Sequence, residues 1–297
     1  MVTLIKTAGQ FVRRVIQFPR KTRQQRYESF IYRWKWWLGG IPFPKRLPIG
    51  VWWLMDFDFL GMALIEGGFE NIEYDFAGEF VKPGMTVLDI GAHRGFYTLL
   101  FSKRVGPTGR VLSFEPSLRE RKKLLRHVRI NFRKNVGVKD CALGAADGAG
   151  ELYVVSGIET GCNSLRPPDT RAPVSAVKVQ VRKLDEVLSE EKIEKVDFIK
   201  LDVEGGELNV LKGAGKLLET EPRPVILCEV LDMRTKPWGY PARLIADYLE
   251  ERNFVWFELG NDSRLTAIAP GKATFDGNYV AVPRESLASM AKFQTGG

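Results

Sequence analysis

Val87-Leu88-Asp89-Ile90-Gly91-Ala92-His93-Arg94-Gly95 is the stretch that decides the fold. It reads as a buried strand running into a glycine turn. The next apolar run, Val111-Leu112-Ser113-Phe114, ends in Glu115. A strand, a glycine turn, a helix and a strand closed by a carboxylate make a nucleotide-binding half of an α/β sheet. Gly91 and Gly95 carry no Cβ, so the turn can come close to a ligand. Glu115 can accept hydrogen bonds from both hydroxyls of a ribose. The pattern implies an adenosine-bearing ligand.

Strand and helix signals alternate from Gly84 onward. Apolar runs predict strands at 85–90, 110–115, 136–142, 196–202, 224–230, 254–259 and 278–282. Helical periodicity falls at 95–104, 117–132, 206–219 and 240–251. Residues 151–155 and 176–181 alternate apolar and polar, as half-exposed strands do. The expectation is an α/β, Rossmann-like fold: a mostly parallel seven-stranded sheet with helices on both faces. Ligands of such sheets sit at the carboxyl ends of the strands, near which Asp89, Glu115, Asp140 and Asp202 all fall.

A dinucleotide site calls for G-x-G-x-x-G. Here the order is Asp89-x-Gly91-x-x-x-Gly95, without the tight glycine pair that admits a pyrophosphate. An acid at the strand end suits a cationic ligand instead. S-adenosylmethionine, with its sulfonium and amino group and no pyrophosphate, fits that better than NAD.

The residues around this turn, together with Phe114-Glu115-Pro116, Ala142-Leu143-Gly144, Asn163-Ser164-Leu165 and Lys200-Leu201-Asp202-Val203-Glu204-Gly205-Gly206-Glu207, resemble the FkbM-type methyltransferases. The resemblance runs from about residue 70 to 260 and is most specific at Asp202-Val203-Glu204-Gly205. It departs at His93, where the family commonly has Asn, and at Gly206, where it often has His. The resemblance implies a class I methyltransferase fold and transfer of a methyl group to a hydroxyl oxygen of a saccharide, glycolipid or natural product. It also implies cofactor contacts at Asp89, Gly91, His93, Gly95, Tyr97, Glu115, Asp140, Ala142 and Asp202.

A sugar hydroxyl is a poor nucleophile, so a carboxylate or a metal should assist it. Asp202 is the expected positioning group or general base, with Glu204 in support. His93, in the turn, could touch the cofactor or act as a base at neutral pH. Asp202, Glu204 and Glu229 could instead hold Mg²⁺ through oxygen ligands. His127, among Arg126, Arg129 and Arg133, reads as a solvated residue on the charged face of an amphipathic helix. The loop 157–170 is long for a hairpin and is expected to carry part of the acceptor pocket.

The chain has 297 residues, 44% of them hydrophobic, and a net charge of +8. That size and composition allow a sizeable core. Cys141, Cys162 and Cys228 lack metal-ligand spacing and read as reduced thiols of a cytoplasmic protein. Residues 1–80 read as an N-terminal extension, 81–285 as the cofactor-binding domain and 286–297 as a C-terminal tail. Residues 1–37 hold nine lysines and arginines against one acid, Glu28. Residues 4–18 sort into an amphipathic basic helix that Pro19 should end. Lys6, Arg13 and Arg14 interrupt its apolar residues and argue against a secretory signal. With five tryptophans between 34 and 53, this region suits the plane of a membrane interface, and packing on protein is the alternative. The competing functions are an NAD-dependent oxidoreductase, an RNA methyltransferase and a non-catalytic membrane-associated methyltransferase-like protein. The first lacks a third glycine, and the second lacks a base-flipping Asn-Pro-Pro-Tyr motif, which makes nucleic acid an unfavoured partner.

Overall fold

The computed structural model describes residues 26, 30, 34, 42–56, 58–157, 160–269 and 271–294. The helix read over 4–18 lies outside the described residues. A short antiparallel hairpin, β1 (Phe43–Arg46) and β2 (Trp52–Met55), comes first. Helices α1 (Phe59–Glu66) and α2 (Asn71–Phe80) follow. The alternating pattern then begins with β3 (Thr86–Ile90), α3 (Phe96–Val105), β4 (Arg110–Phe114), α4 (Leu118–Ile130) and β5 (Val136–Lys139). Strands β6 (Ala142–Leu143), β7 (Gly148–Val155) and β8 (Val174–Arg182) form a second, three-stranded sheet. Then come α5 (Leu184–Glu190), β9 (Phe198–Leu201), α6 (Glu207–Lys212), α7 (Gly215–Glu219) and β10 (Val225–Leu231). The chain ends with α8 (Asp232–Thr235), α9 (Arg243–Glu250), β11 (Phe254–Leu259), β12 (Leu265–Ala267), β13 (Asp276–Pro283) and 3₁₀ turns over Arg284–Phe293.

The main sheet has the order β12-β11-β13-β10-β9-β3-β4-β5. The neighbours from β5 through β10 pair in parallel, and β13 and β12 run against the rest. This is the expected mostly parallel sheet with one strand more: β12 adds an antiparallel edge beside β11. Two elements are shorter than expected. The run 136–142 divides at the exposed Asp140, so that β5 stays in the main sheet and β6 joins the small one. The helix 206–219 divides at Gly213, which lies so close to the Gly144 carbonyl that a Cβ would sit 2.1 Å from its oxygen.

The strand period of two splits the sheet's side chains into two cores. Val87, Val111, Phe198 and Val225 form one row across four strands, facing Phe76 and Phe101 of the helices. One residue along, Leu88, Leu112, Ile199 and Ile226 form the opposite row, facing Leu211 and Ile245. Burial on both faces explains why these strands read as continuous apolar runs. The hairpin closes a third cluster, in which Leu47, Trp53, Met55 and Leu60 meet Leu99 of α3. Met290 and Phe293 are buried as well, Phe293 against Phe76 and Phe80. No helix among the described residues is long and apolar enough to cross a membrane. The chain leaves β3 toward β4 on one side and later returns as β9 on the other, which opens a crevice at the carboxyl ends of the strands.

Candidate active site

A partly open cleft occupies that crevice. At one end it is walled by Phe114, Glu115, Pro116 and Ala142. Gly91 and His93 of the turn form one side, and Gly161, Asn163, Ser164 and Leu165 of the loop form the other. Asp202, Val203, Glu204, Gly206 and Trp238 close the far end. The loop 157–170 thus contributes to the pocket as expected.

Glu115 is buried at the end of β4. Its two carboxylate oxygens accept from the His93 and Ser117 backbone N–H groups, each at 2.8 Å. Burial pushes its pKa up to about 8 against those two bonds. Each oxygen keeps a second lone pair that a hydroxyl could use.

The turn glycines also make room for the packing of the fold. At Gly91 (φ 85°) a Cβ would sit 1.7 Å from the Asp202 backbone oxygen, so the residue is small to let the end of β3 pass the end of β9. At Gly95 (φ 87°) a Cβ would meet Leu124 of α4 at 2.4 Å. Gly91 lines the cleft and Gly95 does not. Asp89 also lies beneath the cleft rather than in it. It accepts from the Thr98 hydroxyl at 2.5 Å, and burial raises its pKa to about 6. Tyr97 points into the core, where its hydroxyl donates to Glu70 at 2.8 Å, and Asp140 is exposed outside the cleft lining.

At the acidic end, Lys200 donates to Asp202 Oδ2 at 2.5 Å. Glu204, in a left-handed turn (φ 58°), pairs with Arg234 at 2.7 Å, while burial pushes its pKa up to about 8. Glu207 reaches back to accept from the N–H groups of Val203 and Gly205 and so holds the turn. Glu229 is half-buried, and desolvation together with the charges of Asp202 and Glu204 drives its pKa well up. Four carboxyls thus face two cations, an imbalance that a positively charged ligand would relieve.

The metal triad read from sequence is not the one the fold assembles. Oxygens of Asp202, Glu207 and Glu229 lie within 4.8 Å of one another, whereas Glu204 is turned to Arg234. Of these three acids, Glu207 is committed to the backbone and Asp202 to Lys200.

His93 is held at φ 49°, a left-handed geometry that Asn and His tolerate better than most residues. Its Nε2 lies 3.4 Å from Glu120, yet burial lowers its pKa to about 4 and leaves the ring neutral at physiological pH. His127 is not solvated, contrary to its place in a basic helix. It is buried and stacks on Trp53 with centroids 3.9 Å apart. Its Nε2 accepts from the Leu54 N–H at 3.0 Å, so its Nδ1 donates to the Arg94 carbonyl at 2.8 Å. Burial lowers its pKa to about 4.

Sequence reasoning missed two features. The first is Arg94, only 2% exposed, whose guanidinium binds Asp58, Asp56 (3.2 Å), Glu120 (2.8 Å) and the Thr160 hydroxyl (3.0 Å). The available signal was three isolated acids: Asp56 and Asp58 inside an apolar window, and Glu120 alone in a basic helix. The second is Trp238, whose indole N–H donates to the Glu204 carbonyl at 3.3 Å. A Cβ on Gly206 would sit 2.9 Å from this ring, which explains why this chain has glycine where the related pattern often has histidine.

Replacing Arg94 with alanine takes the guanidinium away from buried Asp58 and Glu120, which keep the Gly61 N–H and Arg119 as partners. The expected loss is about 3–5 kcal/mol of stability, measured by urea unfolding. A loss below about 1 kcal/mol, the ordinary level of an exposed ion pair, would show that the cluster is not structural.

The chain matches the model of the Methyltransferase FkbM domain over residues 89–256. It is 28% identical over 147 residues to Methyltransferase 1 of Beauveria bassiana, covering 43% of this chain and 57% of that one. It is 30% identical over 168 residues to Methyltransferase sdnD of Sordaria araneosa, covering 47% and 63%. It is also 28% identical over 214 residues to the AMB antimetabolite synthetase AmbE of Pseudomonas aeruginosa, covering 61% of this chain and 10% of that one. The chain therefore spans less than two thirds of each of these relatives. Among solved structures, an FkbM methyltransferase from Methylobacillus flagellatus KT is similar over 77% of this chain and 56% of its own, at 18% identity and a TM-score of 0.42. The family model covers more than half of the chain and carries both the glycine turn and the Asp202–Glu204 segment, and by that match this protein belongs to the FkbM methyltransferase family.

Proposed function

We propose that the cleft binds S-adenosylmethionine and that the chain transfers its methyl group to a hydroxyl oxygen of a saccharide, glycolipid or related natural product. The observation that carries this reading is the pair of opposed ends of one cleft. A buried glutamate suited to a ribose stands at one end, and a surplus of carboxyls suited to a cation stands at the other. Family membership supports it over the dinucleotide oxidoreductase.

In this reading Glu115 would hold the ribose hydroxyls, and Ala142 and Phe114, which line the same cleft, would give the base an apolar setting. The acids around Asp202 offset the positive charge of the cofactor. When bound, S-adenosylmethionine supplies an electrophilic methyl carbon, whose bond to sulfur breaks with its electron pair as the acceptor oxygen bonds to it. Lys200 holds one oxygen of Asp202, and the other accepts the hydroxyl proton of the acceptor. Glu204, fixed by Arg234, orients the turn that carries Asp202. His93 stays neutral and donates its backbone N–H to Glu115, a positioning role rather than proton transfer. Trp238, with Arg166 stacked 5.3 Å from its ring centroid, offers an aromatic face beside the polar Asn163 and Ser164, a combination suited to a sugar ring. Mg²⁺, if taken up, would be held by Asp202, Glu207 and Glu229 through oxygen ligands.

Labelled S-adenosylmethionine incubated with host extract should place label in saccharide, lipid or small-molecule fractions. Label confined to RNA would overturn the acceptor assignment. Glu115→Ala is expected to weaken S-adenosylhomocysteine binding about ten-fold, since it removes the hydrogen bonds to the ribose hydroxyls. Asp202→Asn should lower kcat about a hundred-fold, a far larger effect than its effect on that affinity. Isothermal titration calorimetry and turnover on the labelled fraction separate the two effects, and equal losses of both quantities in both variants would refute the division of roles.

The raised carboxyls give a pH dependence of defined sign. Glu115 and Glu204 gain protons as pH falls through about 8, and a neutral carboxyl attracts a cation less. Cofactor affinity should therefore rise between pH 6 and pH 9, a range chosen to bracket those values. A flat profile by calorimetry would contradict the ionisation scheme.

A further inference from the structure

The outer face of α4 and the turn that ends it have no part in the cleft. Leu118, Lys122, Leu125 and Arg129 recur at alternating spacings of four and three residues and form one exposed stripe. It begins beside Pro116 at the cleft rim, and Phe132 continues the spacing past the helix end. From Leu118 to Phe132 the stripe extends about 21 Å at 1.5 Å per residue. Glu120 is the sole acid between residues 117 and 139, and it is fully buried on Arg94. The exposed charges of this face, including Arg126 and Lys134, are thus all positive.

Phe132 is the telling residue. The Phe132 N–H donates to the Arg129 carbonyl at 3.0 Å and the Arg133 N–H to the Val128 carbonyl at 3.1 Å, which is a Schellman ending. The position between them is left-handed (φ 53°) and favours glycine, yet it holds a phenylalanine that is 86% exposed. A bulky side chain there works against the helix ending and covers no core. Trp52, 47% exposed, is fixed next to it: the Asn131 side chain accepts from the Trp52 N–H and donates to the Trp52 carbonyl, both at 2.7 Å.

We infer that this face, with Phe132 and Trp52 at its tip, docks on an anionic lipid bilayer. Charge complementarity selects that occupant, because lysines and arginines interleaved with aliphatic and aromatic side chains match a headgroup boundary over acyl chains. Leu118 and Leu125 have nothing to offer a nucleic acid, whose backbone asks for cations and whose bases ask for flat rings. Lysine and arginine stems extend along the apolar surface while their charges stay at headgroup level. Docking this way sets the cleft rim at Pro116 against the surface, within reach of a hydroxyl on a lipid headgroup. The surface is built from α4 and the hairpin, not from the sequence of the basic segment 1–37.

The test is flotation of the full chain with phosphatidylcholine vesicles, with and without about one third phosphatidylglycerol. Wild type should float with the anionic vesicles and not with the neutral ones. Phe132→Gly combined with Leu125→Ser should weaken that binding about ten-fold. Phe132→Gly alone should keep or raise the thermal midpoint, because glycine suits the left-handed site. Lys122→Glu with Arg129→Glu should abolish the preference for anionic lipid. Absence of wild-type flotation, unchanged flotation of the Phe132/Leu125 variant, or RNA binding lost in these variants without any vesicle binding would each overturn the proposal. S-adenosylhomocysteine affinity should be the same in all of these proteins, so a failure here leaves the methyl-transfer reading to stand or fall on its own tests.

Discussion

One buried cation organises the molecule around its cleft. The Arg94 guanidinium is withdrawn from water and can remain so only while Asp58, Asp56 and Glu120 surround it. Those partners come from three places in the chain: the end of the hairpin, the start of α1, which Asp58 caps at 2.8 Å, and the first turn of α4. Thr160 brings in the loop over the cleft. Arg94 itself follows His93, whose N–H holds Glu115. Glu115, the glycine turn, the loop and the N-terminal hairpin thus share one electrostatic centre. His127 reinforces it from below by bonding the Arg94 carbonyl and the Leu54 N–H in a single neutral tautomer.

The far end of the cleft obeys a related constraint. Its acids are partly out of water and are kept in place by Lys200, Arg234 and the backbone of the Val203–Gly205 turn. Burial raises several of their pKa values, because ionising them away from water is costly. Such an arrangement is sensible where a cation is to be received and a proton taken up. Lys200, fixed between Asp202 and the Tyr97 ring, links this end to the layer of buried polar groups under β3.

Local pattern carries the sheet because burial on both faces leaves long apolar runs that cannot be mistaken for surface. It also carries Glu115, Asp202 and Glu204, since a carboxylate at a strand end is visible in one dimension. It does not carry Arg94 or His127. Their roles depend on acids and amides from segments far away in sequence, and a cation in a glycine turn or a histidine among arginines looks solvent-exposed until the hairpin is placed over it. Gly91 shows a subtler gap. The need for glycine was evident, but its crowding by the Asp202 carbonyl was not, and that follows only from the adjacency of β3 and β9. The reassignment of Glu204 to Arg234 is of the same kind, because α8 has no sequence neighbour that announces it.

The contact between Gly206 and Trp238 has a consequence for how this cleft can diverge. Bulk absent from one segment is supplied by another, and the two segments join through a hydrogen bond from the indole to the Glu204 carbonyl. Neither position is free to drift alone: a larger residue at 206 meets the ring, and a smaller one at 238 opens a hole beside the Val203–Gly205 turn. The pair should covary, and its members are best randomised together in any attempt to reshape the cleft. A library that varies only one of them samples mainly broken pockets.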